Sequence, residues 1–104
     1  MQTTNTEKIE GEKIVEDLGL VKGNTVRAKN VGNDIIQGIR NFFGGELKGY
    51  SDLMTEAREE ALERMEEQAK DKGADAVVNV RFVTSQVANG GSEILAYGTA
   101  VKLE

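Results

Sequence analysis

The spacing of apolar positions changes along the chain, and each change marks an element. Residues 1–8 are polar and read as a flexible N-terminal segment. From Ile9 the pattern becomes strand-like. Ile14, Val15, Leu18, Leu20, Val21 and Val26 are interleaved with polar residues and punctuated by Gly19 and Gly23. This predicts one long bent strand or a hairpin over 12–29, with Gly23-Asn24 as its turn or bulge. The period then lengthens. Ile35, Ile36, Ile39, Phe42 and Phe43 fall at i, i+1, i+4, i+7 and i+8, the apolar stripe of an amphipathic helix. Asn30 or Asn33 is placed to cap its start and Gly44-Gly45 to end it. Gly38 inside that helix costs about 1 kcal/mol relative to alanine, which points to close packing against another backbone.

A second helix is predicted from Ser51 to Lys72. Its buried stripe is Leu53, Met54, Ala57, Ala61, Leu62, Met65 and Ala69, and Gly73 stops it. Two strands close the chain. In the first, from Ala76 to Val83, alternation puts Ala76, Val78, Val80 and Phe82 on one face and Val77, Asn79, Arg81 and Val83 on the other. In the second, Leu95, Tyr97, Thr99 and Val101 share a face. Asn89-Gly90-Gly91 between them is a turn signal, so they form an antiparallel hairpin. The order strands, helix, helix, strand, strand predicts an α+β fold in one domain, 1–104: an antiparallel sheet with two helices on one face. Val77, Val83, Leu95 and Val101 make the second face more apolar than a solvated face needs. Burial of that surplus in a homo-oligomer is the expectation.

Composition narrows the chemistry. The 104 residues contain no cysteine, no histidine, no tryptophan and no proline. Thiolate and imidazole metal sites, disulfides and histidine-activated nucleophiles are all excluded. The net charge of −5 disfavours nucleic acid and anionic lipid as partners. Much of the acidity lies on the second helix, which carries Asp52, Glu56, Glu59, Glu60, Glu63, Glu66, Glu67 and Asp71. Glu59, Glu63, Glu66 and Glu67 could offer a weak Ca²⁺ or Mg²⁺ site. They read instead as a solvated face laced by the i, i+4 pairs Glu60–Arg64 and Glu66–Lys70. The stretch Gly44-Gly45-Glu46-Leu47-Lys48-Gly49-Tyr50 lacks the P-loop pattern and reads as a tight helix–helix connection anchored by Tyr50. Asp75 is expected to cap the exit from the second helix. The closing Leu103-Glu104 has the look of a vector remnant and carries no expectation. No apolar run reaches the roughly 20 residues of a membrane span and no signal peptide is read, so the expected location is cytoplasmic.

Several small-residue signatures occur in order: Asn33-Asp34, Gly38-Ile39-Arg40, Gly44-Gly45 with Tyr50, Ala57-Arg58, Gly73-Ala74-Asp75-Ala76-Val77-Val78 and Tyr97-Gly98-Thr99-Ala100-Val101. Together they resemble the YbjQ-like family, uncharacterised proteins sometimes labelled heavy-metal-binding, over roughly Lys13 to Lys102. The resemblance implies a dodecin-like, YbjQ-like α+β subunit that forms a ring, with the pentamer as the usual form. It implies no reaction. It places Asp34, Arg40 and Arg58 at characteristic positions. Arg58 is expected to pair with Asp34 or Asp75 and lock helix or subunit packing. With Tyr50 these residues form the candidate ligand-binding set. Where the family commonly has two further arginines, this chain has Asn33 and Glu46, so an anion site built on those arginines does not carry over.

The reading is therefore a homo-oligomeric, pentameric binding or scaffold protein with a small-molecule ligand, no cofactor, no catalytic residues and no metal ligands. Metal handling is the alternative, and a small carboxylate-dependent hydrolase a more distant one.

Overall fold

The structure is a computed structural model and describes residues 1–27, 45–87 and 91–104. These form β1 (Gln2–Thr3), β2 (Ile14–Arg27), α1 (Gly45–Asp71), β3 (Ala76–Val87) and β4 (Gly91–Leu103). The predicted first helix, with Ile35, Ile36, Ile39, Phe42 and Phe43, lies outside the described residues, as do Asn89 and Gly90 of the hairpin turn.

The α+β class is as expected, but the sheet is mixed. Its order is β1-β3-β4-β2. The β2–β4 and β3–β4 pairs are antiparallel, whereas β1 lies parallel to β3 with Gln2 opposite Ala76 and Thr3 opposite Val77. The N-terminal segment, expected as a flexible lead-in, thus adds an edge to the sheet. It continues along β3 through Thr4 N–H to Val77 O, Val80 N–H to Thr4 O and Asn79 N–H to Thr6 O, at 2.9 to 3.0 Å. Two residues of strand leave no alternation to read, which is why the sequence pattern does not show β1.

Residues 14–27 form one strand rather than a hairpin. Its irregularities fall between Ile14 and Glu16 and between Asp17 and Gly19, not at Gly23. Gly23 serves a different purpose. A Cβ there would collide with the backbone of Ala61 and Met65 and stand 2.7 Å from Arg64 Cβ, so its absence lets α1 lie directly on β2. The facing surfaces are built small for the same reason. Ala57, Ala61, Met65 and Ala69 on α1 meet Val21, Ala96, Ala100, Val77, Val80 and Ile94 on the sheet, all buried. Thr25, buried in this layer, donates its hydroxyl to Ala57 O at 3.0 Å.

The helix ends as predicted at Gly73, whose φ of 79° is open to glycine at little cost. Ala74 N–H bonds to Ala69 O at 3.0 Å and Gly73 N–H to Lys70 O at 2.9 Å, the two bonds of a Schellman motif. The cap is thus made by backbone. Asp75 instead ties the ends of β3 and β4 together, its Oδ2 accepting from Leu103 N–H at 2.9 Å. Leu103 pairs with Ile14 and packs in the core, so it is an integral part of the sheet.

The β3 alternation is broken by a two-for-one bulge. Val78 faces Thr99 while Arg81 faces Tyr97, so β3 advances three residues as β4 advances two. Asn79 takes a φ of 55° to make it. The parity therefore flips. Val80 and Phe82 join Val77 on the helix face, while Ala76, Val78, Arg81 and Val83 take the other. That corrects the face assignment from simple alternation. The predicted face of Leu95, Tyr97, Thr99 and Val101 on β4 stands, because β4 carries no extra residue there.

The second face divides in two. At one end Ile9 covers Ala76, Val78 and Val101, with Ile14 and Leu103 beside them. At the other, Leu20 is 61% exposed, Val26 51% and Val83 42%, around partly buried Leu95 and Tyr97. The described residues form a long, thin body, with principal extents of 54 × 26 × 16 Å and a radius of gyration of 16.8 Å. A compact domain of this length would have about 13 Å.

Candidate functional site

Of the candidate ligand set, Asp34 and Arg40 lie outside the described residues, and Tyr50 falls within α1. The helix begins at Gly45, so Gly45–Tyr50 is helical backbone rather than connecting loop. Arg58 is exposed on α1 and donates from Nη2 to Thr55 Oγ1 at 3.1 Å. The expected pairing of Arg58 with Asp75 is not made, because Asp75 is engaged at the far end of the hairpin by Leu103. Arg58 is thus the member of the set whose side chain is described.

The acidic face of α1 forms an open groove lined by Thr55, Glu56, Glu59, Glu60 and Glu63. Among the described residues no group of three or more acidic side chains is arranged to hold a metal ion. Carboxylates one turn apart on an exposed helix repel and stay solvated without a further ligand to draw them in. The predicted Glu60–Arg64 pair closes at 2.5 Å, between side chains 37% and 51% exposed.

Alternation and charge patterning missed two features. The first runs along the outer edge of β2. Arg64 Nη1 donates to Asn24 O at 2.5 Å, Gln68 Oε1 accepts from Lys22 N–H at 2.8 Å, and Lys72 Nζ donates to Leu20 O at 3.3 Å and Leu18 O at 3.4 Å. Four helical residues rise about 6 Å and two strand residues about 6.7 Å, so every i, i+4 step on α1 meets the next outward-facing backbone group of β2. Residues that looked like a solvated helix face are thus side-chain caps on a sheet edge.

The second is a groove of about 400 Å³ where β1 ends. Thr3, Thr4 and Asn5 form one wall, Leu62 of α1 another, and Val80, Arg81 and Phe82 the floor. Arg81 is its one charged lining residue. Its Nη1 is anchored on Asn5 O at 2.8 Å and Val80 O at 3.0 Å. Phe82 is 46% exposed. The bulge decides which side each residue takes: without the residue added at Asn79–Val80, Phe82 would lie on the face away from α1 and Arg81 on the helix face. The signal in the sequence was Asn79 and Arg81 interrupting an otherwise apolar run from Ala76 to Val83.

No helix of the described residues is long and apolar enough to cross a membrane. Comparison with known proteins gives a consistent result. A family described as "Putative heavy-metal-binding" matches residues 1–104. A UPF0145 protein of Halorubrum lacusprofundi is 64% identical over 103 residues, covering 99% of each chain. One from Hahella chejuensis is 59% identical over 104 residues, covering 100% of each. The fold is shared with a Pediococcus pentosaceus protein of unknown function from the DUF74 family. Its crystal structure gives a TM-score of 0.68 at 14% identity, covering 100% of this chain and 98% of that one. Matched along its whole length, the chain belongs to the YbjQ-like family of UPF0145 proteins.

Proposed function

We propose that this protein is a non-enzymatic, cytoplasmic homo-oligomer, a pentameric ring, that acts as a binding or scaffold protein for a small molecule. The observation that carries the reading is the half of the second sheet face that no described element covers, where Leu20, Val26 and Val83 stand exposed around Leu95 and Tyr97. A monomer of 104 residues has little apolar surface to spare for solvent. The core between α1 and the sheet is thin, being alanine over much of its helix side. The elongated shape supports the same conclusion, since a second copy laid on that face would restore a compact ratio of surface to volume.

The binding part of the reading keeps Asp34, Arg40, Tyr50 and Arg58 as a ligand set, supported by the family resemblance and by the exposed guanidinium of Arg58. The absence of histidine and cysteine supports a non-catalytic role, because the commonest general base and the thiol nucleophile are both missing.

Native mass spectrometry of the intact chain at tens of micromolar tests the assembly and reports any retained ligand. The expected mass is five times 11.3 kDa. Leu20→Glu together with Val26→Glu should give a folded chain of lower mass. A wild-type monomer would overturn the proposal.

The family description favours metal handling as a second reading. Soft metals favour thiolate or imidazole, and this chain has carboxylates to offer instead, so a hard cation is the form this reading takes here. Calorimetric titration with Zn²⁺, Cu²⁺, Ca²⁺ and Mg²⁺ separates the two. Saturable heat with any of them supports metal handling, and none at millimolar concentration removes it.

A further inference from the structure

We infer that the groove at the end of β1 is a binding site for a small amphipathic anion: a carboxylate or phosphate group carried on an apolar, preferably aromatic, body. This rests on the binding part of the proposed function and gives it a second location, independent of how the chains assemble.

Charge comes first. In a chain of net charge −5, the groove has one charged lining residue, and it is the arginine. The groove on the acidic face of α1 is lined by four glutamates. An anion is therefore repelled along the helix and attracted here. Among the described residues no carboxylate forms an ion pair with Arg81.

Orientation comes next. A free arginine loses side-chain entropy when it grips a ligand. Here Nη1 is already held by two backbone carbonyls, Asn5 O and Val80 O, from two different elements. The plane of the guanidinium is set by those contacts, while Nη2 and Nε supply the donors of the fork that matches two oxygens of a carboxylate or phosphate. Thr3 and Thr4 bring hydroxyls to the same wall.

Apolar surface completes the site. Phe82 lies 46% exposed on the floor, with Leu62 of α1 beside it. The phenyl ring leaves β3 on the helix face and the guanidinium on the other, and both line the groove at the strand's edge, which suits a ligand whose aromatic or aliphatic body and anionic head reach around that edge. The volume of about 400 Å³ falls within the usual range for small-molecule sites.

The backbone indicates that the arrangement is built rather than incidental. Asn79 holds a φ of 55°, in the left-handed region that asparagine enters more readily than other residues with a Cβ, and the resulting bulge turns Phe82 to the helix side. Bulges of this kind re-aim side chains at functional sites.

The test is a titration followed by amide ¹H–¹⁵N correlation spectra, using phenyl phosphate, inorganic phosphate and phenol as probes. Phenyl phosphate should produce saturable shifts at Thr3 to Asn5 and Val80 to Phe82, and should bind about tenfold more tightly than either fragment. Arg81→Gln should weaken it about tenfold, the usual effect of losing a charge-assisted pair. Phe82→Ala should weaken phenyl phosphate but leave inorganic phosphate unchanged. Arg81→Lys keeps the charge without the fork. It should fall between wild type and Arg81→Gln, and it settles the matter should Arg81→Gln fail to fold. Absence of saturable shifts at these residues up to tens of millimolar would overturn the site, as would equal binding by Arg81→Lys, Phe82→Ala and wild type. A monomeric mass by native mass spectrometry would overturn the assembly without touching this result.

Discussion

The two edges of the sheet face the same physical problem and solve it differently. An edge strand presents a row of N–H and C=O groups that invite another strand. Along β2 these groups are taken up by Arg64 and Gln68 of α1 and by Lys72 just past its end, in register with the strand. Along β3 the cover is a two-residue strand and the turn after it, and it runs out at Arg81. From Phe82 to Val87 no strand lies beyond β3 among the described residues. The sealed edge fixes where the helix lies. The half-open edge carries the exposed phenyl ring, the anchored guanidinium and the bulge. Sealing secures the helix on the sheet, and the gap leaves side chains without a covering strand.

The most severe way to break the comparison is on the sealed side. Gly23→Ala places a methyl group against the backbone of α1, where no side chain can move aside. The helix must lift from β2, and the three edge contacts go with it. We expect a loss of about 3 kcal/mol in urea unfolding, at the upper end for overpacking. An unchanged midpoint would mean that α1 does not lie against β2 as described.

On the open side, Asn79→Val is the next largest. A β-branched residue at a φ of 55° is more strained than asparagine, by about 2 kcal/mol. It costs less than Gly23→Ala because the bulge can relax toward the unpaired edge. Its informative effect is local: amide shifts at Arg81 and Phe82 should change more than those of α1. The reverse distribution would show that the bulge belongs to the core rather than to the groove.

The sequence legibly carried whatever depends on one element at a time. The stripe from Met54 to Ala69 and the stop at Gly73 gave α1, because helical spacing needs no partner to be recognised. The β3–β4 hairpin was legible for the same reason. What depends on two elements was not. The bulge at Asn79 flips every later residue of β3, and alternation alone carries no mark of it. Gly23 reads as a turn until α1 is seen to need its missing side chain. Arg64 reads as half of a solvated ion pair until β2 runs beside it. Leu20 and Val26 entered as strand residues without any sign that they would be left bare. The candidate set was legible only through family position, not through any pattern of spacing, and Asp34 and Arg40 lie outside the described residues.

Two smaller changes sharpen the account of how the sealed edge works. Gln68→Ala removes the acceptor for Lys22 N–H, a bond of 2.8 Å, and should cost about 1 kcal/mol. Hydrogen exchange at the Lys22 amide should quicken more than at its neighbours.

Lys72→Met should have the smallest effect. Its two bonds, at 3.3 and 3.4 Å, are long, and the carbonyls they satisfy lie at an exposed edge where water replaces the ammonium. Lys72 also sits at the C-terminal end of α1, where a cation interacts favourably with the helix dipole. We expect a loss of about 0.5 kcal/mol from the two together. The contrast with Gln68→Ala is the point of the measurement. Water meets an exposed carbonyl easily, whereas an amide N–H under a helix side chain has less access to it. Should Lys72→Met cost more than Gln68→Ala, the edge would be held by charge rather than by hydrogen bonding, and its stability would fall with added salt. Should the order stand, the Gln68 bond contributes more to folding than the ammonium of Lys72. The Lys72 contacts then serve to keep a second strand away, a role read by native mass rather than by unfolding.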